Sequence, residues 1–216
     1  MKGPMSNRDR ILEFALDLMN EEGAEAANTT RIAAALGISP GNLYYHFRNR
    51  EEIVRVLFET LETEFRAVLV EDVGPPITPQ RFAGFYLRSF DLAWRYRFFF
   101  GGLLGLLRRD DDLAARYRAL QDWALVELER IAAQLVKDGN MDRPRGRDGL
   151  RSVALNTWLI WMNWIRFLQI SGKDAIAPSD MAAGANQLFD VLAPYLDPAF
   201  EKSARRALAR EAPKRG

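Results

Sequence analysis

Thr29-Thr30-Arg31-Ile32-Ala33-Ala34-Ala35-Leu36-Gly37-Ile38-Ser39-Pro40-Gly41-Asn42-Leu43-Tyr44-Tyr45-His46-Phe47 holds two short helices and the corner between them. Thr29 stands where an N-cap belongs, ahead of Ile32, Ala33 and Leu36. Gly37 supplies the left-handed residue that ends this helix. Ser39-Pro40 restarts the chain, with a capping hydroxyl followed by proline at the first helical position. Residues 40–47 then form a very short helix whose inward face is Leu43 and Phe47. Leu36 and Ile38 help lock the two together. This is helix-turn-helix geometry, which presents a small helix, amino end first, to the DNA major groove. Tyr44, Tyr45 and His46 cannot all be core at the end of so short a helix, and each has a polar tip able to reach phosphate or a base edge.

Upstream, Ile11, Ala15, Leu18 and Met19 make a stripe at helical spacing, widened by Phe14, and Gly23 follows its end. Over the first fifty residues the charges balance: Lys2, Arg8, Arg10, Arg31, Arg48 and Arg50 against Asp9, Asp17, Glu13, Glu21, Glu22 and Glu25. The acids cluster on the first helix and the loop after it, while Arg31, Arg48 and Arg50 flank the recognition helix. Such segregation suffices, because only the face that meets phosphate must be positive.

The segment from Thr29 through Tyr44-Tyr45-His46-Phe47-Arg48-Asn49-Arg50-Glu51-Glu52-Ile53 resembles the DNA-binding domain of TetR/AcrR-family transcriptional regulators, over residues 8–53. The resemblance implies a homodimeric repressor that leaves a palindromic double-stranded DNA operator when a small molecule enters its carboxyl-terminal domain. It implies that Thr29 donates to phosphate and that Thr30 and Arg31 face the backbone or nearby bases. Pro40, Gly41 and Tyr44 occupy the groove-entering positions, and Tyr45, His46 and Arg50 grip phosphates. Gly41 and Asn42 are small, so base readout is expected to rest on Asn42, Tyr44, apolar contact and DNA shape rather than on bidentate arginine–guanine pairs.

Everything downstream also has the helical period. A long helix spans 51–70 and is the expected coupling route between the domains. Prolines at 75, 76 and 79 mark a linker over 72–79. Further helices are expected over 78–94, 98–109, 110–137, 148–171 and 179–196, with no strand pattern. The tail after Pro198 is basic, with Lys202, Arg205, Arg206, Arg210, Lys214 and Arg215 against Glu201 and Glu211. The expectation is therefore an all-α chain: residues 1–53 bind DNA, 54–198 bind ligand and dimerise, and 199–216 form a basic tail.

Aromatics crowd the second part. They are a helical core in the usual case, but an apolar or amphipathic effector needs an apolar pocket. The candidate lining is Trp94, Phe98, Phe99, Leu103 and Leu107 from the middle helices, with Trp123, Trp158, Trp161 and Met162 from the later ones. On helix 148–171, Ser152, Asn156, Leu159, Asn163, Arg166 and Ile170 share one face. The helix is apolar around most of its circumference and must be covered on several sides. In the family the last two long helices pair across a two-fold axis, which makes Leu188, Val191, Leu192 and Tyr195 a candidate seam. Asn163 and Arg166 have three readings: solvent-facing, polar pins across that seam, or orienting groups for a ligand head.

The 216 residues include 30 Lys or Arg and 29 Asp or Glu, a net charge of +1, so the total does not mark a polyanion binder. Absence of cysteine excludes disulfides, thiolate zinc sites and cysteine nucleophiles, and one histidine, His46, excludes His-rich metal sites. No enzyme constellation, cofactor motif or metal set is present. The apolar run 98–107 is far short of the roughly 20 residues of a spanning helix, and the start lacks the apolar core of a signal peptide. The expected location is the cytoplasm. A second reading also fits the residues: an effector-free DNA-binding protein controlled by a protein partner.

Overall fold

Ser6 caps the first helix, its hydroxyl oxygen accepting from the Asp9 amide at 3.2 Å. The computed structural model describes residues 6–71, 75–172 and 176–211. Among them the architecture is all-α: α1 (Asn7–Glu22), α2 (Thr29–Leu36), α3 (Pro40–His46), α4 (Arg50–Glu71), α5 (Pro79–Arg95), α6 (Arg97–Arg109), α7 (Asp111–Lys137), α8 (Gly149–Ile170), α9 (Pro178–Leu192) and α10 (Pro198–Glu211). Of the expected linker, residues 72–74 lie outside the described residues.

The cap of α2 is Asn28 and not Thr29. Asn28 has an extended backbone and its side-chain oxygen accepts from the Arg31 amide at 2.9 Å, so Thr29 is already the first helical residue. Gly37 ends α2 at φ 63°, left-handed as the sequence requires. Ser39 then accepts from the Asn42 amide at 3.1 Å and starts α3.

Two compact units form. The first holds the residues up to Thr63 together with Tyr96–Ala115; the second holds Glu64–Arg95 and the residues from Arg116 onward. The compact units thus divide later than 53, and α6 joins α1–α3 in the first of them. Its apolar residues explain this: Phe98, Phe99, Phe100 and Leu103 are buried, Phe99 stacks on Phe58 at 5.0 Å, and the Phe98 amide donates to the Asn20 side chain at 3.1 Å. Buried Asp110 caps α7 through the Leu113 amide at 3.0 Å and accepts from Arg55 at 3.2 Å.

In the second unit α5 packs on α8, α9 and α10. Phe82, Tyr86, Phe189 and Phe200 meet edge to face, with centroids 5.0–5.7 Å apart. The segment expected as a basic tail is helix α10, because Phe200, Ala204, Ala207 and Leu208 form a buried stripe while the arginines stay outside. Lys214 and Arg215 lie outside the described residues. Helix α9 stops at Leu192, not 196; Leu196 instead bridges to Met141, and the Asp142 amide donates to the Tyr195 carbonyl at 2.6 Å.

Gly184 sets how closely α9 approaches its neighbours. A Cβ there would lie 2.5 Å from the buried ring of Phe90 and 2.8 Å from Trp164. Gly184→Ala is expected to destabilise the second unit by about 1–3 kcal/mol through overpacking, outweighing the helix propensity it gains. Thermal unfolding followed by circular dichroism should show a lower midpoint for the variant; an unchanged midpoint would mean the rings yield without cost.

Candidate functional site

Helix α3 holds itself to the first unit by two side chains, Leu43 and Phe47, each about 1% exposed. Apart from half-buried His46, everything else on it faces outward. Tyr44 is 64% and Tyr45 86% exposed, and Pro40, Gly41 and Asn42 are exposed beside them. His46 is half-buried, its ring edge against Tyr45 at 5.2 Å. The space around Gly41 is open, with only the Ser39 hydroxyl 4.0 Å from where its Cβ would be. On α2, Thr30 and Arg31 are exposed and Thr29 is half-buried. The residues expected to meet DNA are thus carried by these two helices, apart from half-buried Arg50 at the start of α4.

Two of the arginines expected to meet DNA already hold carboxylates. Arg31 donates twice to Glu22, at 2.5 and 2.7 Å, and these hydrogen bonds hold the Glu22 carboxyl below the usual carboxylate range. Arg50 pairs with Glu25 and, at 2.8 Å, with Glu51. Glu25 is shared, because Arg109 at the end of α6 pairs with its other oxygen. Surface pairs of this kind contribute about 0–1 kcal/mol each, so a phosphate can displace them. The clustering of acids was visible along the chain, but their pairing with Arg31, Arg50 and Arg109 follows only from the fold.

The second unit contains a narrow, mainly apolar void of about 10 Å³, no larger than one water. Of the residues expected to line a pocket, Trp158 and Trp161 do. Phe98, Phe99 and Leu103 are core of the first unit and Leu107 is half-buried on the same helix. Trp94 is half-buried, and Trp123 packs under the Arg66 guanidinium at 4.2 Å. Met162 receives a hydrogen bond from the Tyr117 hydroxyl at 2.6 Å, and burial pushes that phenol's pKa up to about 12. The walls not foreseen are Phe65, Phe85 and Tyr86, then Ser89 and Leu128, then Thr157 and Leu188. Ser89 and Thr157 carried a signal, being polar residues within otherwise apolar faces of α5 and α8.

The face of α8 opposite this core is apolar and open: Leu155, Leu159, Phe167 and Ile170 are exposed, the last at 77%. Ser152 and Asn156 are exposed among them, and Asn163 and Arg166 are half-buried. Asn163 donates its amide to the Leu159 carbonyl at 3.0 Å. The expected seam on α9 differs from what the fold allows. Leu188 and Leu192 are buried inside their own unit, where they border cavities, while Val191 and Tyr195 are half-buried. Among the described residues, no group of acidic or histidine side chains could hold a metal, and no helix is long and apolar enough to cross a membrane.

Comparison with known proteins agrees with this arrangement at both ends of the chain. Residues 11–57 match the family described as bacterial regulatory proteins, tetR family, and residues 59–203 match that described as TetR, bacterial transcriptional repressor. A TetR-family transcriptional regulator from Marinobacter aquaeolei VT8 is 34% identical, with a TM-score of 0.85 over 97% of this chain and 100% of that one. An HTH-type transcriptional regulator of Staphylococcus aureus (strain bovine RF122 / ET3-1), SAB2452, is 37% identical over 71 residues, 31% of this chain and 38% of the relative. The tetracycline repressor protein class C of Escherichia coli is 36% identical over 56 residues, 26% of each. The match thus spans less than half the length of either curated relative. With the helix-turn-helix and the helical region behind it both matched, the chain belongs to the TetR family of bacterial DNA-binding transcriptional repressors.

Proposed function

We propose that the protein is a homodimer that holds a two-fold symmetric operator with α3 of each subunit in the major groove. The reading rests above all on the outward array of Asn42, Tyr44 and Tyr45 on a helix anchored only by Leu43 and Phe47. Pro40, Gly41, Asn42 and Tyr44 enter the groove. Tyr45, His46, Thr29 and Thr30 reach phosphates, and Arg31 and Arg50 exchange their carboxylates for them. The open apolar face of α8, with Asn163 and Arg166 at its edge, together with Val191 on α9 and Tyr195 just beyond its end, is the face that meets the second subunit. It is larger than the scattered single apolar residues that a monomer normally exposes.

A small, largely apolar effector in the second unit shifts the dimer toward a form whose two recognition helices no longer match the operator spacing. The covalent route between the sites is α4, which contributes residues to both units. The protein works in the cytoplasm, where its operator lies.

Fluorescence anisotropy with DNA flanking the protein's own gene, against a scrambled control and across a salt series, tests the DNA-binding reading. Clear preference for the native fragment is expected; equal and steeply salt-dependent binding to both would mean phosphate contact without readout. In the same assay Tyr45→Ala should lose about tenfold in affinity, the worth of one hydrogen bond to a charged group, and sediment as a dimer like the parent. Equal affinities would remove Tyr45 from the interface. Glu25→Gln should bind about threefold tighter or more, since it frees Arg50 and Arg109 for phosphate. Weaker binding would mean that Glu25 positions Arg50 rather than competing for it. Leu159→Glu should sediment as a folded monomer and lose more than tenfold in operator affinity. An intact dimer would move the subunit interface off α8.

A further inference from the structure

Helix α10 carries three arginines, and the fold uses one of them. Arg205 donates to Asp190 of α9 at 2.9 Å and to Glu201, one turn back, at 2.8 Å. Arg206 and Arg210 are exposed, and among the described residues neither has a hydrogen-bond or ion-pair partner. Four residues apart, they are neighbours on one face of the helix. That face is concave. With Gln80 of α5, and with Ser203 and Ala207 of their own helix, the two arginines line an open groove of about 240 Å³, against about 10 Å³ for the void beside Trp158. Buried Ala207 adds only a methyl group to the walls, so the space between the longer side chains stays free. The groove lies away from the core. Phe85, Tyr86 and Ser89 turn one face of α5 to the void, and helical spacing puts Gln80 on the opposite face.

The donors define the guest. A guanidinium can give two parallel N–H bonds, enough to serve one planar carboxylate by itself. Two of them side by side suit a phosphoryl group, with its three terminal oxygens and its higher charge. The Ser203 hydroxyl and the Gln80 amide add neutral donors beside them. Gln80 also stands in the first turn of α5, where the helix dipole favours negative charge. One wall group opposes an anion, the exposed carboxylate of Glu211. It repels a polyanion laid along the groove, but accepts from a hydroxyl carried close to a single phosphate. Glu211 also borders a second groove of about 240 Å³, where Leu87 and Met181 supply apolar surface beside Arg88 and Asp91. An organic body attached to the phosphate can extend that way.

We infer that Arg206 and Arg210 form a binding site for the phosphoryl group of a phosphate monoester that carries a hydroxyl donor for Glu211. The site uses no residue assigned above to DNA, effector or second subunit, and it stands whether or not those assignments do. The same chemistry is found in small soluble molecules and in phosphorylated lipid headgroups, so the test includes both.

Glycerol 3-phosphate, methyl phosphate and glycerol are each titrated into the full-length, ¹⁵N-labelled protein at low ionic strength, following the backbone amides of Ser203 and Ala207 and the side-chain amide of Gln80. Glycerol 3-phosphate should shift these signals and bind about tenfold tighter than methyl phosphate, the worth of one hydrogen bond to a charged acceptor. Glycerol should leave them unmoved. Arg206→Gln and Arg210→Gln should each weaken binding by about tenfold or more. Lys202→Gln, an exposed change one turn earlier on the same face but outside the groove, should weaken it by less than about twofold. In Glu211→Ala the advantage of glycerol 3-phosphate over methyl phosphate should disappear. Groove signals indifferent to both phosphates, unchanged affinity in the two arginine variants, or an equal loss in Lys202→Gln would overturn the inference. So would weaker operator binding by Arg206→Gln when the phosphates move nothing, which would give these arginines to DNA. Sedimentation with phosphatidylcholine vesicles that contain phosphatidylinositol 4-phosphate, lost in Arg206→Gln, would support the site and name a lipid headgroup as its source. Glycerol 3-phosphate binding without sedimentation would support it and name a soluble molecule.

Discussion

A helix of seven residues cannot sustain itself in water, since nucleating it fixes more backbone than its few hydrogen bonds repay. The existence of α3 therefore depends on the burial of Leu43 and Phe47 and on the Ser39 cap. That dependence also has a use. Because two side chains suffice to hold the helix, its remaining residues are released from packing and can be chosen for what lies outside. Ser39 and Pro40 set the helix's first turn and Gly37 its angle to α2, so the exposed tyrosines stand on a rigid base. An interface built on such a base needs little rearrangement when it meets its target.

The second unit solves a different problem. Its core is filled with rings, and a ring with an N–H or O–H must satisfy that group or carry the cost of leaving it alone. Trp161, Trp164 and Tyr86 each find a partner, on Ser89, Asp180 and Thr157. The Ser89 carbonyl, which Trp161 uses, belongs to an α5 residue whose hydroxyl bonds back to Phe85. Local donors and acceptors are thus nearly used up by the fold itself. Packing of large rigid rings also leaves gaps that flexible aliphatic chains would close. Among the buried side-chain nitrogens and oxygens of the described residues, Trp158 Nε1 alone is left without a partner.

Most of this was legible along the chain, for reasons that vary by element. Gly37 and Ser39-Pro40 carry unambiguous backbone signals, and α3 ends one residue from where they place it. Asn28 and Thr29 are adjacent and equally able to cap, so only the backbone angle separates them. The stripe in α10 was hidden by its small residues: Ala204 and Ala207 read weakly as core beside so many arginines, yet their size lets α10 lie close against α5. For the pocket, composition named too many candidates. Phe98 and Trp158 are alike in type and surroundings along the chain, and only tertiary packing sends one to the core of the first unit and the other to a cavity wall. Leu188 and Leu192 show the same limit, since helical spacing reports a shared face but not whether it turns toward its own core or a partner.

The carboxylates at Glu22 and Glu25 also bear on how ions are counted when the protein meets DNA. An arginine free in solution displaces a condensed cation from the DNA and gives nothing back, so each phosphate contact adds nearly one released ion. In the proposed complex Arg31 instead leaves behind Glu22, which then draws a cation from the solvent, while Glu25 keeps its pair with Arg109. Part of what the DNA sheds is taken up again by the protein. The net release is smaller than the number of phosphates touched, and affinity falls less steeply as salt rises. On the proposed reading, the near-neutral chain, at +1 overall, thereby holds DNA with a grip buffered against the ionic strength around it.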